Sequence, residues 1–306
     1  MARRQATEVS ATEYAARLRL TPWHERAFPY LLLAPAIIVL LLLSIYPLVY
    51  AVTVSLQTGR GEWTGGNFAR LLRDHFFLVA LWQTLLYTVA ALALEFALGL
   101  GLALLLDSKL RARNLFRSLL LVPMMLPPVV VAVIWRLIYN PTFGTINGTL
   151  KGWGFDTTRL TWIASPSMAL ASVVLVDVWQ WTPFMFLILL AGLQSIPQEP
   201  YEAAMIDGAS RWQTFRDITL PLLKPAILVA LLLRTMDLLR IFDQIFILTQ
   251  GGPGFATETI SLYIYKTAFR FFDFGYAAAM SFVLLVLINF ISVGYIRLLR
   301  RQEPRT

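Results

Sequence analysis

The chain has no cysteine, and its two histidines stand alone outside the apolar stretches. Disulfide bridges, thiolate nucleophiles and thiolate metal sites are therefore excluded, and no metal site is expected. No polar stretch is long enough for a soluble domain, and the Gly-x-x-x-x-Gly-Lys-Ser/Thr loop that holds nucleotide phosphates is missing. We therefore expect no enzymatic activity and no cofactor bound by this chain, and an ATP-driven process would need its ATPase on another polypeptide.

The chain is rich in hydrophobic residues, which make up 58% of its 306 residues, against roughly 45–50% in soluble domains. Six stretches are long enough to cross a hydrocarbon core about 30 Å thick. They predict an all-α integral membrane protein of the cell membrane with six transmembrane helices, at 29–56, 78–106, 116–139, 167–193, 223–248 and 275–297. A long polar segment precedes the first stretch, which is too long for a signal peptide, so we expect an uncleaved span.

Basic residues predict the orientation of these spans. The loops after the odd-numbered spans hold seven of them and the opposite side holds sixteen, which puts both termini and loop 195–224 in the cytoplasm. The predicted organisation is a tail over 1–28, a six-helix transmembrane domain over 29–298 and a second tail over 299–306. Residues 11–28 alternate apolar and charged side chains, as in an interfacial helix, and a disordered tail is the alternative.

The cytoplasmic loop between spans four and five carries the most informative pattern. Prolines at 197 and 200 end span four, and a short helix follows up to Gly208, a natural helix-ending residue. Ser210 and Gln213 fit a capping box for a second helix running toward Ile218. We expect Pro221 to turn the chain back into the bilayer, together with the proline at 225. Paired alanines and exposed acidic residues predict a face that enters a protein cleft.

This loop resembles the cytoplasmic signature loop of ABC importer permeases. That pattern is Glu-Ala-Ala, three residues, Gly, nine residues, Ile, one residue, Leu-Pro, and every defined position is present. The resemblance implies contact with a separate ATPase, which would bind ATP and Mg²⁺. The predicted ATPase-coupling residues are Glu202, Ala203, Ala204, Asp207, Gly208, Ile218, Leu220 and Pro221.

Other passages look like the carbohydrate-uptake, MalF-like branch of that family. They are Leu-Val-Pro-Met-Met-Leu-Pro at 121–127, Trp-x-x-x-Pro-Phe-Met at 179–185, Leu-Thr-Gln-Gly-Gly-Pro at 248–253 and Asp-Phe-Gly-Tyr-Ala-Ala-Ala at 273–279. The resemblance covers the chain from about residue 30 onward and implies a MetI-like, type I permease fold. It also implies three kinds of partner: a second homologous permease, two ATP-binding cassette subunits and an extracytoplasmic solute-binding protein.

Ionisable residues inside spans normally face protein or a wet cavity, because burying them in lipid is costly. Span five carries Arg234, Asp237, Arg240 and Asp243, three apart with alternating sign, so a neutralising ladder between the two permeases is one interpretation. Alignment with the MalF-like family instead places two helical faces over the sugar site. The substrate-binding residues implied by that alignment are Asp177, Gln180, Trp181, Phe184, Arg234, Asp237, Leu238 and Ile241.

The predicted function is the transmembrane subunit of an ATP-driven carbohydrate importer that works by alternating access. Maltose is not inferred, because Arg234 and Asp237 replace the small polar and aromatic residues of the maltose-type site. Arg234 would serve an anionic sugar as counter-ion, whereas pairing with Asp237 would suit a neutral polyol or disaccharide. The alternative function is an ion- or proton-coupled secondary transporter, in which Asp177, Asp237 and Asp243 bind the coupling cation.

Two further expectations concern helix geometry. Prolines at 123, 127 and 128 should break or kink span three, which frees backbone groups for neighbours or water. Glu95 lies one turn before Gly99 in span two, where a small residue allows a close helix contact.

Overall fold

The computed structural model describes residues 23–107 and 113–300. Within these ranges the chain is helical and has no β-strand, which confirms the all-α class. The α-helices are α1 (Trp23–Ser55), α2 (Gly66–Leu71), α3 (His75–Asp107), α4 (Arg113–Met125), α5 (Pro128–Ile138), α6 (Thr145–Gly152), α7 (Pro166–Gln194), α8 (Glu199–Ile206), α9 (Arg211–Thr214), α10 (Leu220–Leu238), α11 (Asp243–Leu248), α12 (Ile260–Phe269) and α13 (Phe274–Arg300). A 3₁₀ turn covers Trp162–Ala164 and a π-helical turn covers Phe215–Thr219.

Five helices of the described residues are long and apolar enough to cross a membrane, and one bent pair makes a sixth candidate. In chain order they are Tyr30–Ser55, His75–Asp107, the pair Asn114–Met125 and Pro128–Ile138, Pro166–Gln194, Arg211–Leu238 and Phe274–Arg300. All six predicted spans are therefore present, and only the fifth has clearly different bounds.

The chain divides near Thr53 into two units, and nearly all of the first helix belongs to the first unit. This helix has 33 residues. The predicted interfacial helix over 11–28 lies mostly outside the described residues, and residues 23–28 form the beginning of α1. The predicted C-terminal tail also lies outside them from residue 301 onward.

Span three is broken, as its prolines predict. Helices α4 and α5 meet at an angle of 94°, with Pro127 at the N-cap of α5. Proline has no backbone N–H and disfavours helix at the residue before it, so the ladder of hydrogen bonds stops at this point. The carbonyl of Leu126 accepts a hydrogen bond from Nε2 of Gln180 at 2.9 Å. A side chain of span four thus satisfies a backbone group that the break releases.

Spans two and four pack closely, because α3 presents a stripe of mostly small side chains to α7. The buried members of this stripe lie at every fourth position and are Tyr87, Ala91, Glu95, Gly99 and Ala103. A β-carbon at position 99 would lie 2.7 Å from Cγ of Met185 and 3.1 Å from the backbone nitrogen of Phe186. Glycine therefore sets the separation of the two helices, as expected for a small residue at a membrane helix contact.

The bounds predicted for span five, 223–248, are wrong at both ends. The helix is continuous from Arg211 through the π-turn to Leu238, and Pro221 follows directly on that turn. Local π adjustments of this kind let a helix accommodate a proline. The expected turns at Pro221 and Pro225 are absent from this continuous stretch. At the other end, Nε of Arg240 donates to the carbonyl of Met236 at 3.0 Å and caps the last turn.

A polar cluster joins α2, α12 and α13 to the turns before α3 and α13, at the end of the bundle opposite loop 195–224. The hydroxyls of Tyr263 and Tyr276 donate to Oδ2 of Asp74 at 2.8 and 2.6 Å, and Arg70 pairs with Asp273 at 2.6 Å. Burial alone would raise the pKa of Asp74, but these hydroxyls and the backbone N–H groups of the following residues together lower it. The carboxylate is thus held in its charged form.

We expect Asp74→Ala to reduce the free energy of unfolding by about 1 kcal/mol, since it leaves two tyrosine hydroxyls without their acceptor. A lowered folded-state pKa means that this stabilisation is complete above the usual carboxyl pKa and is lost as the pH falls through the lowered value. Melting temperatures of the purified chain and the variant should therefore converge in acid. Glu62→Ala, at an exposed loop position, is the control and should melt like the parent chain at neutral pH.

Candidate functional site

A cleft of about 300 Å³ lies where broken span three, span four and the end of span five meet. Trp181, Arg234, Asp237 and Ile241 line it, so four of the eight predicted substrate-binding residues are brought together. The other lining residues are Pro128, Arg240, Phe242, Asp243 and Gln244. Phe184 does not line the cleft, but its ring lies edge-on to that of Trp181, with centroids 6.3 Å apart.

Three ionisable side chains form a buried triad behind the cleft. Arg234 is 2% exposed, while Glu95 and Asp177 are fully buried. Nε and Nη2 of Arg234 donate to the two carboxylate oxygens of Glu95 at 2.7 and 2.6 Å. Nη2 also donates to Oδ2 of Asp177 at 2.6 Å. Bidentate pairs of this kind fix both partners in orientation, so the triad ties spans two, four and five together.

Within this chain, the ladder interpretation of span five is met at one pair only. Arg234 points into the protein and finds its acidic partners on two other helices, because its face of α10 is buried. Only Asp237 and Arg240 pair as expected, at 3.2 Å and on an exposed surface. Asp243 begins the separate helix α11, since α10 ends before it. The sequence offered a signal for the triad, because single unpaired acids in spans two and four need a basic partner.

Besides Phe184, three other predicted substrate-binding residues do not line the cleft. Asp177 lies behind Arg234, and Leu238 is fully buried in the apolar core. Gln180 is also fully buried, and both ends of its amide are bonded within the chain. Its Nε2 donates to Leu126, and its Oε1 accepts from Nε2 of Gln244 at 2.7 Å. Gln180 thus supports the wall of the cleft, and Gln244, which the sequence did not single out, completes that support.

The cleft also has an aromatic wall. The guanidinium carbon of Arg234 lies 5.1 Å from the ring centroid of Trp181, within the range of a cation–π contact. Trp181 is partly exposed and fixed between Arg234 and the edge of Phe184. A flat apolar ring beside several hydrogen-bonding groups is the combination found in sites for polar organic ligands.

The second candidate surface is the signature loop, residues 199–221, which lies at the other end of span five. Helix α8 ends at Ile206, and Gly208 follows with a φ of +73°, a conformation that glycine adopts without strain. Ser210 and Gln213 form the predicted capping box at the start of α9. The helix, turn and helix expected from the sequence are confirmed, and the second helix reaches Ile218 through the π-turn.

Most coupling residues predicted in the signature loop are exposed. Glu202, Ala203, Asp207, Gly208 and Pro221 are exposed, whereas Ile218 and Leu220 are partly buried. Ala204 is buried, so the two alanines do not share one exposed face; adjacent residues on a helix point about 100° apart. The exposed face instead carries Met205 and Ile206, whose side chains are 78% and 87% exposed. The sequence contained this signal as two apolar residues inside a polar loop.

The signature loop is tied to the base of span five. The hydroxyl of Tyr201 on α8 donates to Oγ1 of Thr219 at 3.2 Å, and Oγ1 of Thr219 donates to the carbonyl of Thr214 across the π-turn at 3.3 Å. Tyr201 and Leu220 also pack against the same apolar core cluster. A displacement of α8 would therefore move the start of α10 as well.

Comparison with known protein families shows which family this chain belongs to. Residues 95–305 match the model of the family described as "binding-protein-dependent transport system inner membrane component". The chain belongs to this family. It is accordingly a multi-pass membrane permease of the ABC importer type.

Individual family members agree with this assignment over nearly their full length. The trehalose/maltose transport system permease protein MalF of Thermococcus litoralis is 39% identical over 284 residues, which cover 90% of this chain and 94% of that protein. The sulfoquinovosyl glycerol transport system permease protein SmoG of Agrobacterium fabrum is 37% identical, with 93% and 95% covered.

A solved structure of the family has the same fold. It belongs to a bacterial ABC transporter involved in the import of the acidic polysaccharide alginate. The TM-score is 0.81 and the identity 25%, over 92% of this chain and 98% of that one. The MetI-like permease fold expected from the sequence is therefore confirmed.

Proposed function

We propose that this permease is the transmembrane subunit of an ATP-driven importer that carries a carbohydrate across the cell membrane by alternating access. Support comes from relatives named for trehalose, maltose and sulfoquinovosyl glycerol transport. Further support comes from the chain itself, where one continuous helix joins an exposed signature loop to a polar and aromatic cleft. That continuity is the observation on which the proposal rests.

The proposed partners follow from the two surfaces and from the family. A second homologous permease would complete the translocation path, and an extracytoplasmic solute-binding protein would deliver the sugar. Two ATPase subunits would dock on the signature loop and would bind ATP and Mg²⁺, so the permease itself contributes no covalent chemistry. Basic-residue counts favour a cytoplasmic signature loop and cytoplasmic termini.

The geometry suggests how ATP-driven closure would reach the cleft. An ATPase that moves α8 would pull on Thr219 through the hydroxyl of Tyr201. Thr219 leads directly into α10, whose far end carries Arg234 and Asp237. Because α10 is held to spans two and four by the buried triad, the movement would shift these helices together and change the access of the cleft.

We expect Gly208→Asp and Gly208→Asn to reduce sugar uptake by about tenfold or more, with the chain still inserted in the membrane. Asparagine and aspartate adopt left-handed backbone angles more readily than other substituted residues, and a β-carbon at position 208 meets no atom within 4 Å. Stability should therefore change little, and the side chain should instead obstruct a docked partner. Uptake into proteoliposomes and co-purification of the ATPase are the measurements.

Gly148→Asp is the matched control, because position 148 is also exposed and open but lies in α6, far along the chain from the signature loop. It should transport like the parent. Normal uptake by both Gly208 variants would refute the docking role. Uptake driven by an ion gradient in the absence of ATP would instead support the secondary transporter.

A further inference from the structure

The charge of Arg234 is already matched inside the protein. Three hydrogen bonds of 2.6–2.7 Å join its Nε and Nη2 to Glu95 and Asp177. Both carboxylates are fully buried, so water does not weaken their attraction to the guanidinium. A single ionised carboxylate is enough to neutralise an arginine, and here two compete for it.

The other charges at the cleft do not restore a positive site. Arg240 pairs with Asp237 at 3.2 Å and also donates to the carbonyl of Met236. Asp243 adds a further exposed carboxylate to the lining. Among the described residues that line the cleft or lie directly behind it, acidic side chains therefore outnumber basic ones by four to two.

An anionic sugar would meet this surface at a disadvantage. To use Arg234 it would have to displace a buried carboxylate, which would then lack a partner in a poorly hydrated place. If it stayed at the rim, it would approach Asp237 and Asp243. An uncharged sugar has neither difficulty, because its hydroxyls bond to carboxylates and to guanidinium N–H groups alike, while its apolar face packs on Trp181.

We infer that the cleft takes an uncharged carbohydrate and discriminates against sugars that carry a carboxylate, sulfonate or phosphate group. Arg234 then serves as a fixed hydrogen-bond donor beside Trp181 and not as a counter-ion. This inference rests on the proposed function for its biological meaning. It separates the chain from its structural neighbour, whose transporter imports an acidic polysaccharide, and from SmoG, which is named for a sulfonated sugar. Neither fold nor sequence similarity therefore carries the charge of the substrate over.

The absence of cysteine allows the sign of the potential in the cleft to be measured without any sugar. Ile241→Cys places a thiol in the cleft lining, and Phe242→Cys provides a second position should the first variant fold poorly. The assembled transporter in detergent is treated with a cationic or an anionic methanethiosulfonate reagent of similar size. Labelling of this chain is followed by its intact mass.

We expect the cationic reagent to react faster than the anionic one at the cleft thiol, by about fivefold relative to the same ratio for free 2-mercaptoethanol. Asp243→Asn in the same background should lower that ratio. Thr142→Cys, at an exposed loop position outside the cleft, should give a ratio near that of the free thiol. A cleft thiol that reacts equally with both reagents, or faster with the anionic one, would overturn the inference.

This result is independent of the Gly208 experiment. If the cleft thiol reports a negative potential but the Gly208 variants take up sugar normally, the proposed importer is contradicted and the charge of the cleft stays established. Normal ATP-dependent uptake with a positive or neutral cleft would leave the importer intact and refute the substrate class.

Discussion

Arg234→Met is expected to destabilise the chain by about 3–5 kcal/mol, because it leaves two buried carboxylates without their basic partner. Glu95 and Asp177 are both fully buried, and each lies 2.6 Å from Nη2 of Arg234. Methionine fills a similar volume, so lost packing should be a minor part of the effect. The yield of inserted, monodisperse chain and its unfolding temperature in detergent are the measurements.

Arg240→Met is the control, at a position less than two helical turns beyond Arg234 in the chain. Arg240 forms an exposed ion pair with Asp237 and donates to the carbonyl of Met236, and exposed pairs contribute about 0–1 kcal/mol. The two variants remove the same charge and introduce the same side chain. If they unfold alike, the triad does not stabilise the fold in the manner described.

Neutralising the acids should reverse the damage. In the triple variant Arg234→Met, Glu95→Gln, Asp177→Asn no charge remains at the triad, so most of the lost stability should return. Recovery would show that the loss arises from uncompensated charge. Continued failure of the triple variant would point to the hydrogen-bond geometry of the arginine as the essential feature.

Gly99→Leu should destabilise the chain by about 3 kcal/mol, at the upper end of the usual cost of overpacking a core. A β-carbon at position 99 would already crowd Cβ of Met185 at 2.8 Å and the backbone of Phe186 at 3.1 Å. A backbone atom cannot give way as a flexible side chain can, so α3 and α7 would have to separate. Thermal unfolding of the purified chain tests this.

Position 101 provides the matched control within the same helix. It is exposed, and a β-carbon there would meet no atom within 4 Å. Leucine is a better helix former than glycine by about 0.5–1 kcal/mol, so Gly101→Leu should leave stability unchanged or raise it. Equal losses at both positions would mean that helix separation is not set at Gly99.

The number of spans was predictable from the sequence, because apolar length and proline position act locally. The break in span three follows from Pro127 alone, and the cap at Ser210 follows from its spacing to Gln213. These features need no knowledge of what lies across the bundle.

The partners of Arg234 were not predictable in the same way. Asp237 lies one turn away along the chain, whereas Glu95 is 139 residues distant and Asp177 is 57. Sequence spacing favours the near carboxylate, but burial decides the outcome, because an arginine inside the bundle pairs with the acids that share its interior. The burial of Gln180 escaped prediction for the same reason, since its acceptor exists only after span three has bent.

The π-turn at Phe215–Thr219 sets a rotational phase between the two surfaces of span five. Each residue in a helix turns the chain by about 100°, so one residue more or fewer in this stretch would rotate the signature loop around the helix axis while the cleft stayed in place. The number of residues in this stretch thus fixes the angle, about the helix axis, between the signature loop and the cleft. Substitutions change the chemistry of one surface and leave this angle unchanged, whereas an insertion or deletion between the two surfaces would turn the signature loop away from its docked partner.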